Sequence, residues 1–282
     1  MIFSNIPNGL AVFVSAAVIF WSGAANAEEQ PFAFLYATDT EARGEGELEQ
    51  WIIWKGGHAH ESFNSFESRS EFEYGITGDL QGSLYLNYDW SRSRAHFPGV
   101  PTDRDSFASV SGELIYRVLD AEEDPIGLAF YVEPSWGAEE REFETKILLQ
   151  KNFLDNKLRA AFNFNLEDSW DRDNGHWSKG GALEFGAGLA YALTPEWSIA
   201  AEFNNEREYD GLILGGSSQA ETSAYYLGPT IQYAADPITV TFGAQAQLPC
   251  AGNLSNTPGV IEHGFASGAE RYRLLLRVSA EL

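Results

Sequence analysis

Tyr272-Arg273-Leu274-Leu275-Leu276-Arg277-Val278-Ser279-Ala280-Glu281-Leu282 closes the chain and alternates with a period of two. Tyr272, Leu274, Leu276, Val278, Ala280 and Leu282 fall on one face, and Arg273, Arg277, Ser279 and Glu281 on the other, with Leu275 the single apolar exception. Successive side chains of a strand point to opposite sides, so this stretch reads as a strand with one apolar and one polar face. That pattern suits a sandwich strand with its apolar face inward, or a barrel strand with its apolar face in lipid. The surrounding sequence decides between them.

Working backwards, the same alternation recurs in about twelve blocks of roughly ten residues, the length a tilted strand needs to cross the hydrocarbon layer. Apolar faces include Leu84, Leu86, Tyr88 and Trp90; Ile126, Leu128, Phe130 and Val132; Leu158, Phe162 and Phe164; and Val240, Phe242 and Ala244. The opposite faces carry Asn87 and Asp89, Arg159 and Asn163, Glu184 with Gly186 and Gly188, Glu202 and Asn204, and Thr241 and Gln245. Such faces make no dry core. Past the first 27 residues no stretch approaches the roughly 18 apolar residues of a spanning helix, so any crossing uses strands.

The connections alternate in length. Short turns are expected at Thr77-Gly78-Asp79, Leu154-Asp155-Asn156, Leu193-Thr194-Pro195-Glu196 and Ala235-Asp236-Pro237. Longer polar connections are expected at Arg92 to Asp105, Asp168 to Gly180, Glu208 to Gln219 and Pro249 to Gly268. Trp54, Trp90 and Trp136 stand beside expected loops, of which Ser135 to Glu140 is a short one, and Tyr74, Phe153, Trp197 and Tyr233 beside the turns, as two interfacial girdles require. The expected fold is all-β: a transmembrane up-and-down antiparallel β-barrel of about twelve strands with both termini periplasmic.

At the N-terminus, Gly9 to Trp21 is almost wholly apolar and leads to Ala25-Asn26-Ala27, the small-x-small pattern of a secretory cleavage site. Residues 1–27 therefore read as a signal peptide, 28–45 as a periplasmic lead-in and 46–282 as the barrel. The formal charge of −23 excludes nucleic acid as a partner, while 44% hydrophobic residues exclude a disordered acidic chain. Cys250 stands alone, so no intrachain disulfide forms.

The chain resembles the bacterial outer-membrane β-barrel, porin-like superfamily over its whole mature length. The terminal strand, with Tyr272, Leu274, Leu276, Val278, Ala280 and Leu282, looks like the signal read by the barrel-assembly machinery, although such signals usually end in Phe or Trp rather than Leu. Tyr36-Ala37-Thr38-Asp39, Glu47-Leu48-Glu49-Gln50-Trp51 and Glu71-Phe72-Glu73-Tyr74-Gly75 are similar to porin-like families without an assigned activity. The resemblance implies an outer-membrane location, with lipid and the assembly machinery as partners.

The inward faces are rich in carboxylates and poorer in bases. Glu71, Glu73, Glu113, Glu184 and Glu202 are the expected selectivity lining, and Arg69, Arg117, Arg159, Arg273 and Arg277 an opposing basic strip. A lumen lined this way favours cations, so the expectation is a passive, cation-preferring pore for small solutes, without a cofactor. The alternatives are a non-conducting structural or adhesive barrel whose lumen is salt-bridged shut, and an enzyme acting on outer-membrane lipid. The enzyme finds no support in G-x-S-x-G or H-E-x-x-H, both absent. All five histidines fall in expected loops; His58 and His60 are weak candidates for a metal. The acidic stretch Asp168 to Gly175 departs from the calcium-loop pattern and reads as a solvated loop.

Overall fold

The computed structural model of the protein describes residues 30–58, 61–95, 102–173 and 175–282, so the expected signal peptide, His60 and His96 lie outside the described residues. The long strands are β1 (Gly46–Gly56), β2 (Glu61–Gly75), β3 (Leu80–Ala95), β4 (Thr102–Leu119), β5 (Gly127–Trp136) and β6 (Glu140–Phe153). They continue with β7 (Leu158–Asp173), β8 (His176–Ala192), β9 (Trp197–Asp210), β10 (Gln219–Ala235), β11 (Ile238–Gln247) and β15 (Tyr272–Glu281). Three two-residue strands, β12 (Gly252–Asn253), β13 (Ile261–Glu262) and β14 (Phe265–Ala266), sit in the last connection. Each long strand pairs antiparallel with its neighbours, and β15 pairs with both β11 and β1. The sheet closes into a twelve-strand barrel without an edge.

The outward face is the apolar one. Leu84, Leu86, Phe130, Phe162, Leu189, Phe242, Leu274 and Leu276 project from the wall and stay exposed, and in β5 and β11 buried positions alternate regularly with more exposed ones. An exposed apolar belt on a closed barrel is a surface for lipid. Leu275, the misfit of the terminal strand, points inward and is buried.

Two of the expected long connections are largely strand. β3 and β4 stay paired as far as Ser93 opposite Thr102, and β7 and β8 as far as Asp173 opposite His176. Polar residues on strands that outrun the apolar belt mimic a loop in sequence, because ladder pairing does not depend on side-chain polarity. The stretch Asp168 to Asp173 is thus paired sheet, and His176 opens β8. Genuinely long connections are residues 211–218 and 248–271. The barrel end with residues 76–79, 120–126, 154–157, 193–196 and 236–237 is called the turn end below, and the other the loop end.

Candidate functional site

Residues 30–45, expected as a periplasmic lead-in, enter the barrel from the turn end and cross its lumen. A buried peptide outside a ladder must find partners for its N–H and C=O groups, and inward side chains of the wall supply them. Gln232 Nε2 and Arg277 Nη2 donate to the Gln30 carbonyl at 2.7 and 2.8 Å. Ala33 N and Phe34 N donate to the two carboxylate oxygens of Glu202 at 2.9 and 2.7 Å. Asn163 pairs with both backbone groups of Tyr36, at 2.7 and 2.8 Å. Thr38 N donates to Gln150, and Glu41 N to Gln81, each at 2.8 Å. Gln232 and Gln150 lie three residues from the turn end of their strands, Glu202 and Asn163 five, which is roughly 10–17 Å along a strand. The segment is a strap across the turn-end part of the lumen.

Its side chains are seated as firmly as its backbone. Phe32 and Leu35 pack with inward Ala161, Ala190 and Ala200, Tyr36 against Ile115, Ala129, Tyr131 and Leu148, and Ala33 against Trp51 and Leu275. Gly186 and Gly188 leave room that Leu35 and Phe32 occupy: an added Cβ would stand 2.1 Å from Leu35 Cδ2 at Gly186 and 2.8 Å from the Phe32 ring at Gly188. At Gly243 it would stand 2.3 Å from Ala33 Cβ. The wall is shaped for this segment.

The anticipated selectivity glutamates therefore take different roles. Glu202 is fully buried, accepting from the strap and from Thr230. Glu113 is buried against the Tyr85 hydroxyl and Ser83. Glu73 accepts from Gln81 Nε2 at 2.6 Å. Glu71 is buried in the wall. Glu184 accepts from Asn165 and borders open lumen.

Nor do the basic residues form one strip. They come from β2, β4, β7 and β15, and each meets acids nearby. Arg69 reaches across two strands to Glu133 at 2.8 Å and lies over the Tyr85 ring. Arg273 reaches across β11 and β10 to grip Glu206, and also meets Glu270. Arg117 pairs with Asp79 and Asp120 at the turn end, both at 3.2 Å. Arg159 meets Asp39 of the strap at 3.4 Å, and Arg277 stands 3.5 Å from Glu49. Burial pushes the Asp39 carboxyl up to about 6, against a hydrogen bond with Gln150 that lowers it.

The strap divides the interior into two chambers. The one toward the loop end has a volume of about 600 Å³ and the one toward the turn end about 230 Å³; Tyr36 and Trp51 border both. The connection 248–271 folds over the loop-end rim, where Ala266 and Ala269 pack on inward Ala224 and Tyr226 and Ala266 N donates to Gln247. His58 stacks on Phe63 with ring centroids 3.9 Å apart, and exposed His263 stands 3.8 Å from Glu262. The described residues do not bring His58 into a metal-binding cluster; the carboxylates that do gather, Glu41, Glu47, Glu49, Glu71 and Glu73, line β1, β2 and the end of the strap.

Solved structures that share this architecture include an outer-membrane channel, a porin and an autotransporter domain. The COG4313 outer-membrane channel from Pseudomonas putida F1 superposes with a TM-score of 0.60 at 11% identity, over 87% of this chain and 98% of the other. The NanC porin gives 0.53 at 13%, over 83% and 100%, and the β domain of the Bordetella autotransporter BrkA 0.52 at 11%, over 85% and 100%. At these identities the likeness is one of fold. No curated protein matches the sequence. A closed barrel with this apolar belt is a protein of the bacterial outer membrane. The model of DUF6662, a family of unknown function, matches residues 24–273, from the strap through β11 to the start of β15, and the chain belongs to that family.

Proposed function

We propose that the protein is an outer-membrane channel for small solutes, with an acidic, cation-preferring lumen whose resting passage is narrowed by the strap. The observation that carries this reading is the loop-end chamber, where eight carboxylates and four bases share about 600 Å³, a volume in the range that holds small organic molecules. The turn-end chamber adds eight carboxylates against Arg117 and Arg277. Excess negative charge between low-dielectric walls lowers the barrier for cations and raises it for anions. Glu142, Glu144 and Glu184, which border the larger chamber, replace Glu71, Glu113 and Glu202 as the residues that permeating ions meet. Lipid contacts the outward belt, and the outward face of β15 is the part offered to the assembly machinery. No reaction is assigned, because the described histidines sit at the loop end, away from the strap and the wall that holds it.

The test is the reversal potential of the refolded protein in a planar bilayer under a salt gradient. The wild type should prefer cations, and Glu142→Gln with Glu144→Gln and Glu184→Gln should conduct with reduced preference. A reversal potential near zero in the wild type, or unchanged in the triple variant, refutes the selectivity assignment. The seated strap itself favours a second reading, a non-conducting structural barrel; that reading expects silence from the wild type and equally from variants whose strap is unseated.

A further inference from the structure

On the lumen side of β1 and β2 the ladder sets Glu49 opposite Glu71, and Glu47 opposite Glu73. Like charges directly across a ladder destabilise it. The carboxylates nevertheless converge: oxygens of Glu49, Glu71 and Glu73 lie within 4.8 Å of one another. Two of the three are partly satisfied, Glu49 by Trp51 Nε1 at 2.5 Å and Glu73 by Gln81 Nε2 at 2.6 Å. Glu71 is different. It is 2% exposed, and neither of its carboxylate oxygens accepts a well-formed hydrogen bond among the described residues, although the Glu73 carboxyl and the Tyr85 hydroxyl, which itself donates to Glu113, stand beside it. A buried carboxylate in that position calls for a compensating charge.

We propose that Glu49, Glu71 and Glu73 hold a hard divalent cation of the calcium class in the barrel wall. The donor set is all oxygen, which suits Ca²⁺ or Mg²⁺ over metals that favour imidazole or thiolate. Carboxylates fixed on rigid strands, each able to bind through one or two oxygens, suit the variable six-to-eight coordination of Ca²⁺ better than the strict, water-retaining octahedron of Mg²⁺. The ion also ties the strap to the wall. Glu73 orients Gln81, whose Oε1 accepts from Glu41 N at 2.8 Å, and Glu41 itself approaches Glu73 and Glu47. Binding at Glu73 thus fixes the point where the strap turns into β1. This inference rests on the wall and the strap alone, so it stands or falls separately from conduction.

The experiment uses the full mature chain refolded in detergent and stripped with EDTA, titrated with Ca²⁺ in a calorimeter and followed by thermal unfolding. Ca²⁺ should bind and raise Tm in the wild type, and Glu71→Gln should lose both effects. Absence of binding in the wild type, as expected if the carboxylates share protons instead, overturns the proposal. So does full binding in Glu71→Gln. Should that variant fail to fold, Tb³⁺ gives an independent reading: Trp51, bonded to Glu49, should sensitise its emission, Ca²⁺ should displace it, and Trp51→Phe should abolish most of the emission while Ca²⁺ still raises Tm. Under excitation that only tryptophan absorbs, emission undiminished by Trp51→Phe places the ion elsewhere and equally overturns the proposal.

Discussion

Unseating the strap without touching the barrel wall is the sharpest test of what the N-terminal segment does. Phe32 is fully buried and Leu35 almost so, both against wall residues. Replacing a buried Phe by Ala costs about 3–5 kcal/mol and a buried Leu about 2–5. Phe32→Ala with Leu35→Ala therefore weakens the seated state by at least about 5 kcal/mol, while the unseated state, with both side chains in water, hardly changes. At roughly 1.4 kcal/mol per decade, the ratio of seated to unseated strap falls by more than three decades. The barrel itself should survive, since neither residue takes part in the ladder or the lipid face. Gly243→Ala attacks the neighbouring part of the strap from the wall, with its Cβ placed 2.3 Å from Ala33 Cβ and 2.8 Å from the Phe34 ring. Two measurements read the outcome in a Cys250→Ser background. A cysteine at fully buried Ala37 should resist a thiol reagent in the otherwise native chain and react in both unseated variants, and single-channel conductance should rise in parallel. If the Ala37→Cys chain reacts freely with the strap intact, or if conductance is the same with the strap seated and unseated, the strap does not close the lumen and the argument fails.

Lipid exposure predicts an asymmetry between faces: Arg at Leu86, Phe130, Phe162 or Phe242, all outward, should cost roughly 2–4 kcal/mol near the midplane and lower folded yield, whereas Arg at inward Asn87 should cost less. Equal losses on both faces would put the register in error. For topology, a cysteine at Ser217 in the long connection 211–218 should be labelled on whole cells and one at Asp236 in a turn should not, again with Cys250→Ser; the reverse pattern would invert the barrel. For pH, the folded Asp39 value of about 6 lies above the roughly 3.9 of an unfolded chain, so protonation favours the seated strap. Its stability should rise as pH falls from 7 through 6 and level off near 4, and Asp39→Asn should flatten that part of the Tm profile; an identical profile in the variant would show that Asp39 does not titrate there.

The barrel was readable because its signal is repeated. Each strand separately states the same alternation, and a closed antiparallel sheet is the arrangement that gives every one of those apolar faces to lipid. Loop lengths were less readable. Polarity marks where the lipid belt stops, as at Asp168 to Asp173, and not where pairing stops, so sheet that extends beyond the membrane looks like loop. The expected lining met a related limit: period two says that Glu202, Glu113 and Glu184 share the inner side, but says nothing of what else occupies it. Glu184 faces open space while Glu202 is covered by two backbone amides.

The strap did leave a trace, in residues that a water-filled lumen has no use for. Leu275 broke the alternation of the terminal strand, and Ile115, Leu148, Ala161, Ala190 and Ala200 stand on faces otherwise polar. Gly186, Gly188 and Gly243 sit at inward positions where strands usually carry side chains to pack. Taken singly, each is an ordinary imperfection. Together they line the turn-end part of the wall, and their counterpart is the sequence Phe32-Ala33-Phe34-Leu35-Tyr36, five apolar residues ahead of β1 in a segment to which the closed ladder offers no free edge. An apolar run of that kind cannot rest in water beside the membrane when a matching apolar seat lies within reach. Small and apolar residues on the inner face, paired with an apolar segment outside the strand count, are therefore a readable sign that a barrel of this size is occupied by its own chain. That rule places the N-terminal segment inside the barrel, so the two chambers adjoin where Tyr36 and Trp51 border both, and the passage proposed above depends on whatever moves Tyr36 away.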